Sequence, residues 1–151
     1  MTEQAMNRTR TITLLARTAL ALAFLIAGAI KLARPEVFAV TVKAFGIVPD
    51  AVIWPLSIGL PVLEVAAALL LLFNRRPGLE MVTALLFLFV AILAYALRMG
   101  LDIDCGCYGP SDPEREAFGS IRQALWRDAA MLCCAAFLFW RRRSVPQTLE
   151  P

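Results

Sequence analysis

The sequence has no histidine among its 151 residues. This absence excludes zinc sites that use histidine, catalytic triads with a histidine base, and haem iron ligated by histidine. Charged residues are also scarce, at 18% of the chain against about 25% in an ordinary soluble domain. Hydrophobic residues make up 60%. The composition indicates an integral membrane protein, and the length allows a single domain over residues 1–151.

The apolar residues are gathered into four stretches, each close to the roughly 20 residues that cross a hydrocarbon core of about 30 Å. They cover about residues 12–32, 52–73, 79–97 and 121–140. We therefore predict an all-α fold, an integral membrane four-helix bundle. The first stretch exceeds the apolar core of a signal peptide, about 7–15 residues, and no small-residue cleavage site ends it. We interpret it as an uncleaved anchor.

The basic residues flank the apolar stretches instead of forming one stripe, so the net charge of +3 does not indicate nucleic-acid binding. Arg75 and Arg76 lie in a tight turn between the second and third stretches, which should be antiparallel neighbours. A triple arginine at 141–143 follows the fourth stretch. Because cytoplasmic loops carry the excess of Lys and Arg, these groups predict that both termini are cytoplasmic. Residues 98–120 then form an outer loop.

The connection between the first two stretches, residues 33–51, is long enough to have structure of its own. Within it, Phe38, Val42 and Phe45 recur at intervals of three or four residues. This is the periodicity of one face of an α-helix. The segment therefore predicts a short amphipathic helix at the membrane interface.

Cys105 and Cys107 lie one glycine apart in the outer loop, on the side of the membrane where disulfides persist. A disulfide between such close cysteines closes a small, strained ring, which Gly106 permits. Strain makes a disulfide easier to reduce, so we favour a thiol–disulfide exchange centre. The alternatives are metal binding together with Asp102 or Asp104, and no chemical role.

Cys133 and Cys134 are adjacent in the fourth apolar stretch. Free cysteine is commonly buried as a small hydrophobic residue, and we favour this interpretation. The alternative is a thiol relay from the loop pair into the membrane. Neighbouring residues point about 100° apart on a helix, so the two thiols are not expected to face the loop together.

Charged residues inside apolar stretches need a partner, because a carboxylate there costs about 2.5–3.5 kcal/mol on insertion scales. Lys31 is near the end of the first stretch, and Glu64 is well inside the second. They form either a structural ion pair or a site that gates protons or a quinone, and the residues leave both open. Arg127 and Asp128 either complete a four-charge network with them or form a helix-entry pair near the headgroups, which we favour.

Several motifs along the chain form a recognisable set. They are Ala27–Leu32, Pro35, Phe38, Pro49, Pro61–Glu64, Asp104-Cys105-Gly106-Cys107-Tyr108-Gly109 and Arg127. The set resembles the methylamine utilisation protein MauE family, within the broader DoxX-like group of four-helix membrane proteins. The resemblance covers about residues 12–140. One departure is Tyr108, where the family commonly has Phe, and this change is conservative.

The resemblance implies a protein of the bacterial cytoplasmic membrane that works beside an exported thioredoxin-like partner. Their joint role would be maturation or export of the disulfide-rich small subunit of methylamine dehydrogenase, or maturation of a similar client, because many relatives lie outside methylamine pathways. Cys105 and Cys107 would be the thiol pair of a thiol–disulfide oxidoreductase, and Lys31, Glu64 and Arg127 the membrane-embedded polar positions. We predict no metal site, and a quinone is the cofactor under consideration. The alternatives are a transporter or binding protein for a soft metal ion, and a structural partner without turnover.

Overall fold

The structure, a computed structural model, describes residues 2–99 and 121–144. Within those residues it has five α-helices: α1 Thr2–Ala33, α2 Pro35–Phe45, α3 Asp50–Leu72, α4 Arg76–Arg98 and α5 Ile121–Ser144. The predicted all-α fold is confirmed. The four long helices cover the four apolar stretches, and α1 and α5 extend beyond them into polar sequence. Cys105 and Cys107 lie outside the described residues.

Three segments of the described residues are long and apolar enough to cross a membrane: Asn7–Ala33 within α1, α3 and α4. Their outward surface is also apolar, since Leu15 and Phe87 are 65% and 62% exposed. Such surface is costly in water and is stable against lipid. The chain is therefore a helical membrane protein.

The fourth predicted span, α5, has 24 residues and is long enough, but it is not among these apolar segments. Charged residues in its second turn and at its end interrupt the apolar sequence. Trp126 and Trp140 are largely exposed near its two ends. Tryptophan is enriched at both interfaces of membrane proteins, which favours a spanning position for α5. The fourth span stays a prediction.

α1 and α3 pack closely at a glycine of α1. A Cβ on Gly28 would lie 2.8 Å from Cγ2 of Val65, and 3.1 Å from both Cβ of Glu64 and the carbonyl oxygen of Pro61. Membrane helices approach one another this closely only where one side chain is very small. The contact places Lys31, less than one turn beyond Gly28, beside Glu64.

The turn from α3 to α4 is as tight as predicted. Asn74 has a left-handed backbone with φ of 56°, and the N–H of Arg75 donates to the carbonyl of Leu70 at 2.8 Å. These bonds satisfy the last carbonyls of α3 in the manner of a Schellman motif. Gly78 then packs so close to α3 that a Cβ there would overlap the backbone of Leu71. The predicted antiparallel pairing of the second and third spans is confirmed.

α5 returns alongside α4 in the opposite direction. Nη1 of Arg142, near the end of α5, donates to the carbonyl of Arg76, the first residue of α4, at 3.2 Å. α5 also packs against α1, which closes the bundle. Since α3, α4 and α5 alternate in direction, α3 begins, α4 ends and α5 begins at the same end of the molecule.

α2 is the predicted amphipathic helix. Pro35 occupies its first turn, and Gly46 ends it in the left-handed conformation, with φ of 63°. Phe38 and Val42 are buried, whereas Lys43 on the opposite face is exposed. α2 packs mainly against α3. Its position at a membrane interface stays a prediction.

Candidate functional site

A cavity of about 430 Å³ lies among all five helices. Its wall is mostly apolar. The charged side chains that line it are Lys31 from α1, Glu64 from α3, and Arg127 and Asp128 from α5. Ligand sites in proteins typically have this size and this combination of an apolar wall with a few convergent polar groups. The cavity is the candidate site within the part of the chain that the structure describes.

The centre of the site is an ion pair between Lys31 and Glu64. The Lys31 Nζ donates to Oε1 of Glu64 at 2.8 Å, and the two side chains are 15% and 1% exposed. Glu64 lies about 21 Å along α3 from Asp50 and about 12 Å from Leu72, at 1.5 Å per residue. The carboxylate is therefore deep inside the span.

Two aromatic rings enclose the ammonium of Lys31. Its Nζ lies 5.0 Å from the ring centroid of Phe38 and 4.9 Å from that of Phe89. Phe24 packs against Phe89, with centroids 6.5 Å apart. A cation over an aromatic face is stabilised by the ring quadrupole, and more so away from water. Phe38 of α2 and Phe89 of α4 thus stabilise the Lys31 ammonium together with Glu64 of α3.

Arg127 and Asp128 join the same site. Nε of Arg127 donates to Oδ1 of Asp128 at 3.2 Å, and the Asp128 residue is 4% exposed. Both residues line the same cavity as Lys31 and Glu64. Their depth relative to the headgroups stays a prediction. The structure thus places two ion pairs, Lys31–Glu64 and Arg127–Asp128, in the wall of one cavity.

Glu64 has one oxygen without a partner among the described residues. Its Oε1 accepts the hydrogen bond from Lys31, whereas Oε2 is buried and accepts none. A buried acceptor left unpaired costs about 1–3 kcal/mol, and more when the group is charged. Such atoms normally bind an ordered water or a ligand.

The cysteines of α5 do not point into this site. Cys133 is exposed and Cys134 is half-buried, and neither is among the residues that line the cavity. The prediction that they are buried as small hydrophobic residues is wrong for Cys133, which faces outward. No cluster of three or more metal-binding side chains occurs in residues 2–99 and 121–144. The loop pair, Cys105 and Cys107, is not within the described residues.

Sequence reasoning missed two contributions to the site. The first is the aromatic enclosure of Lys31, for which the helical spacing of Phe38 in α2 was the available signal. The second is the burial of Asp128. Its signal was an acidic residue immediately followed by an uninterrupted apolar run from Ala129 to Trp140.

Comparison of the sequence with known proteins identifies a family that the chain matches. The model of the family described as methylamine utilisation protein MauE matches residues 9–141, which include the four charged residues and the Cys-Gly-Cys element. The methylamine utilization protein MauE of Paracoccus denitrificans is 38% identical over 95 residues, 61% of this chain and 51% of that protein. The chain thus matches about half the length of this curated relative. No solved structure matches the chain.

Proposed function

The chain belongs to the methylamine utilisation protein MauE family, and from this membership we propose that it acts in methylamine utilisation by thiol–disulfide exchange with an exported thioredoxin-like partner. The client of the exchange is the disulfide-rich small subunit of methylamine dehydrogenase. The observation that carries the proposal is the family match over residues 9–141, which spans Cys105-Gly106-Cys107.

The exchange needs no group beyond the two pairs of sulfur atoms. The thiolate of one loop cysteine attacks the partner disulfide, and one partner sulfur leaves as a thiolate. The second loop cysteine then attacks the mixed disulfide. The products are a Cys105–Cys107 disulfide on this chain and a dithiol on the partner. Two electrons and two protons move to the partner, and the reverse sequence oxidises it.

The topology of the bundle supports this role. The chain leaves α4 at Arg98 and re-enters α5 at Ile121, and both residues lie at the end of the bundle where α3 begins. The segment with the two cysteines is therefore attached at both ends to packed helices. We propose that the protein spans the bacterial cytoplasmic membrane several times, with this end facing the outer side. An exported partner would reach the cysteines there.

The proposal predicts a trapped intermediate. In the native host growing on methylamine, Cys105→Ser or Cys107→Ser leaves one nucleophile without its resolving thiol. One of these variants should therefore accumulate a mixed disulfide with a thioredoxin-like protein. Acid quenching, alkylation and non-reducing electrophoresis of the full-length protein would reveal a band that disappears on reduction.

Cys133→Ser is the matched control, because it removes an exposed thiol of α5 and keeps the loop pair. It should give no trapped complex and normal maturation of the dehydrogenase subunit. The exchange mechanism is contradicted if the double variant Cys105→Ser/Cys107→Ser still matures that subunit at the normal rate.

A further inference from the structure

The unpartnered oxygen of Glu64 indicates which chemical group a ligand of the cavity would carry. Oε2 is buried in a residue that is 1% exposed, and its fellow oxygen already accepts from Lys31. A partner for Oε2 must carry a hydrogen that it can donate. Because Glu64 lines the cavity, that partner can be a molecule held within it.

Hydrogen-bond donors are present beside this acceptor. A lysine ammonium has three N–H groups, and one of them is directed at Oε1 of Glu64. Arg127 also lines the cavity. The site therefore offers donors and an acceptor within one small polar cluster. A ligand whose oxygens accept hydrogen bonds in its oxidised state and donate them in its reduced state can pair with these donors and with this acceptor.

The remaining wall of the cavity restricts the ligand further. It is apolar, and it includes the phenyl rings of Phe24, Phe38, Phe45 and Phe89. It reaches the outside of the bundle at Ile26 and Ile47, which are 56% and 47% exposed. Ile26 lies within the membrane-spanning segment of α1, so a ligand can enter sideways from lipid. A volume of about 430 Å³ suits a ring with part of a hydrocarbon tail.

We propose that this cavity binds the ring of a lipid-soluble quinone and its quinol. The ammonium of Lys31 donates to a ring carbonyl of the quinone. Oε2 of Glu64 accepts from a ring hydroxyl of the quinol, which supplies the missing donor. Phe38 and Phe89 flank the ring, and the tail leaves past Ile26.

The inference deepens the proposed function, on which its electron source rests. Oxidation of the Cys105–Cys107 dithiol to a disulfide releases two electrons and two protons. Reduction of one quinone to a quinol consumes the same number of each. The quinone is thus the electron acceptor, and the loop pair becomes an oxidant for the partner. Binding of the ring, however, does not depend on the cysteines.

The test is equilibrium binding of decyl-substituted benzoquinol to the full-length protein in lipid nanodiscs, followed by calorimetry. We expect saturable binding of one molecule per chain. Glu64→Gln should weaken it about tenfold, because a hydrogen bond to a charged acceptor is roughly twice as strong as one to a neutral acceptor. The double variant Cys105→Ser/Cys107→Ser should bind normally, which separates failure of the thiol exchange from failure of this site.

A matched pair of substitutions in α1 controls for folding. Ala27→Phe places a ring in the cavity, whereas Ala29→Phe places the same ring on the exposed face. Binding should be lost in the first variant and kept in the second. Equal binding by both, or binding that Glu64→Gln leaves unchanged, overturns the proposal. Binding that Glu64→Gln leaves unchanged would indicate that the decyl chain of the probe is held by apolar contacts alone, since a hydrocarbon chain makes no hydrogen bond.

Discussion

At the residue scale, three of the four charged side chains of the cavity, Lys31, Glu64 and Asp128, are largely shielded from solvent, with 15%, 1% and 6% of the side chain exposed. Removing a charge from water costs several kcal/mol, and the attraction of its partner offsets this only while both are present. Lys31 and Glu64 meet this condition at 2.8 Å. Their enclosure by Phe38 and Phe89 adds attraction for the ammonium alone. The pair is therefore sensitive to the loss of either member.

Replacing one member of the pair should destabilise the protein. Lys31→Met leaves a buried carboxylate without its cation, so the free energy of unfolding should fall by about 3–5 kcal/mol. The double variant Lys31→Met/Glu64→Leu should recover most of this loss, because two apolar side chains need no partner. Denaturation of the purified protein in mixed micelles, followed by circular dichroism, measures both effects.

The surface ion pair of Lys43 and Asp50 provides the control. Its atoms are 3.3 Å apart, but the side chains are 67% and 79% exposed. Lys43→Met should change the free energy of unfolding by less than about 1 kcal/mol. If Lys31→Met costs no more than Lys43→Met, the buried pair has no structural role.

The sequence predicted part of this site. Lys31 and Glu64 stood out because each interrupts an apolar stretch, and a buried charge needs a partner. Asp128 did not stand out in the same way. A charged residue near the start of a helix can lie at the headgroups or be covered by neighbouring helices. Only the packing of α5 against α1 and α4 decides between the two. Sequence spacing within one helix contains no such information.

At the element scale, close backbone contacts fix how the helices are arranged. Gly28 brings α1 to α3, and Gly78 brings α4 to α3. The turn signal at Asn74–Gly78 allowed the second of these pairings to be predicted from sequence, because a short connection forces neighbouring helices to be antiparallel. The contact at Gly28 could not be predicted, because the sequence does not show which atoms of α3 a small residue of α1 will meet.

A methyl group at Gly78 should separate α3 from α4. Gly78→Ala places a Cβ against the backbone of Leu70 and Leu71, which cannot rotate away as a side chain can. We expect the free energy of unfolding to fall by about 1–3 kcal/mol, the usual cost of overpacking. Gly59→Ala is the matched control in α3, since no atom lies within 4 Å of its Cβ position. It should gain up to about 1 kcal/mol from helix propensity. Similar losses in both variants would contradict the close contact.

At the scale of the whole molecule, the alternating helices predict a simple membrane topology. If α5 crosses the bilayer together with α1, α3 and α4, both termini lie on the same side. The apolar composition of α1, α3 and α4 was sufficient to predict from the sequence that they span the membrane. α5 is ambiguous by composition because it combines an apolar half with the charges of the cavity.

Reporter fusions to the full chain can test this topology. A fluorescent protein that matures only in the cytoplasm should be active after residue 151, and alkaline phosphatase should be active when inserted at residue 110. The reason is the positive charge beside the turn at 73–75 and at the end of α5. Phosphatase activity both at residue 110 and at the C-terminus would mean that α5 does not cross the membrane.

The order of the ion pair along the chain matters for biogenesis. Lys31 belongs to α1 and Glu64 to α3, so the ribosome delivers the cation before the carboxylate. When α3 moves from the insertion machinery into lipid, its carboxylate can meet an ammonium that is already in the bilayer. That partner offsets part of the roughly 2.5–3.5 kcal/mol cost of inserting an acidic side chain. We therefore expect α1 to assist the membrane insertion of α3.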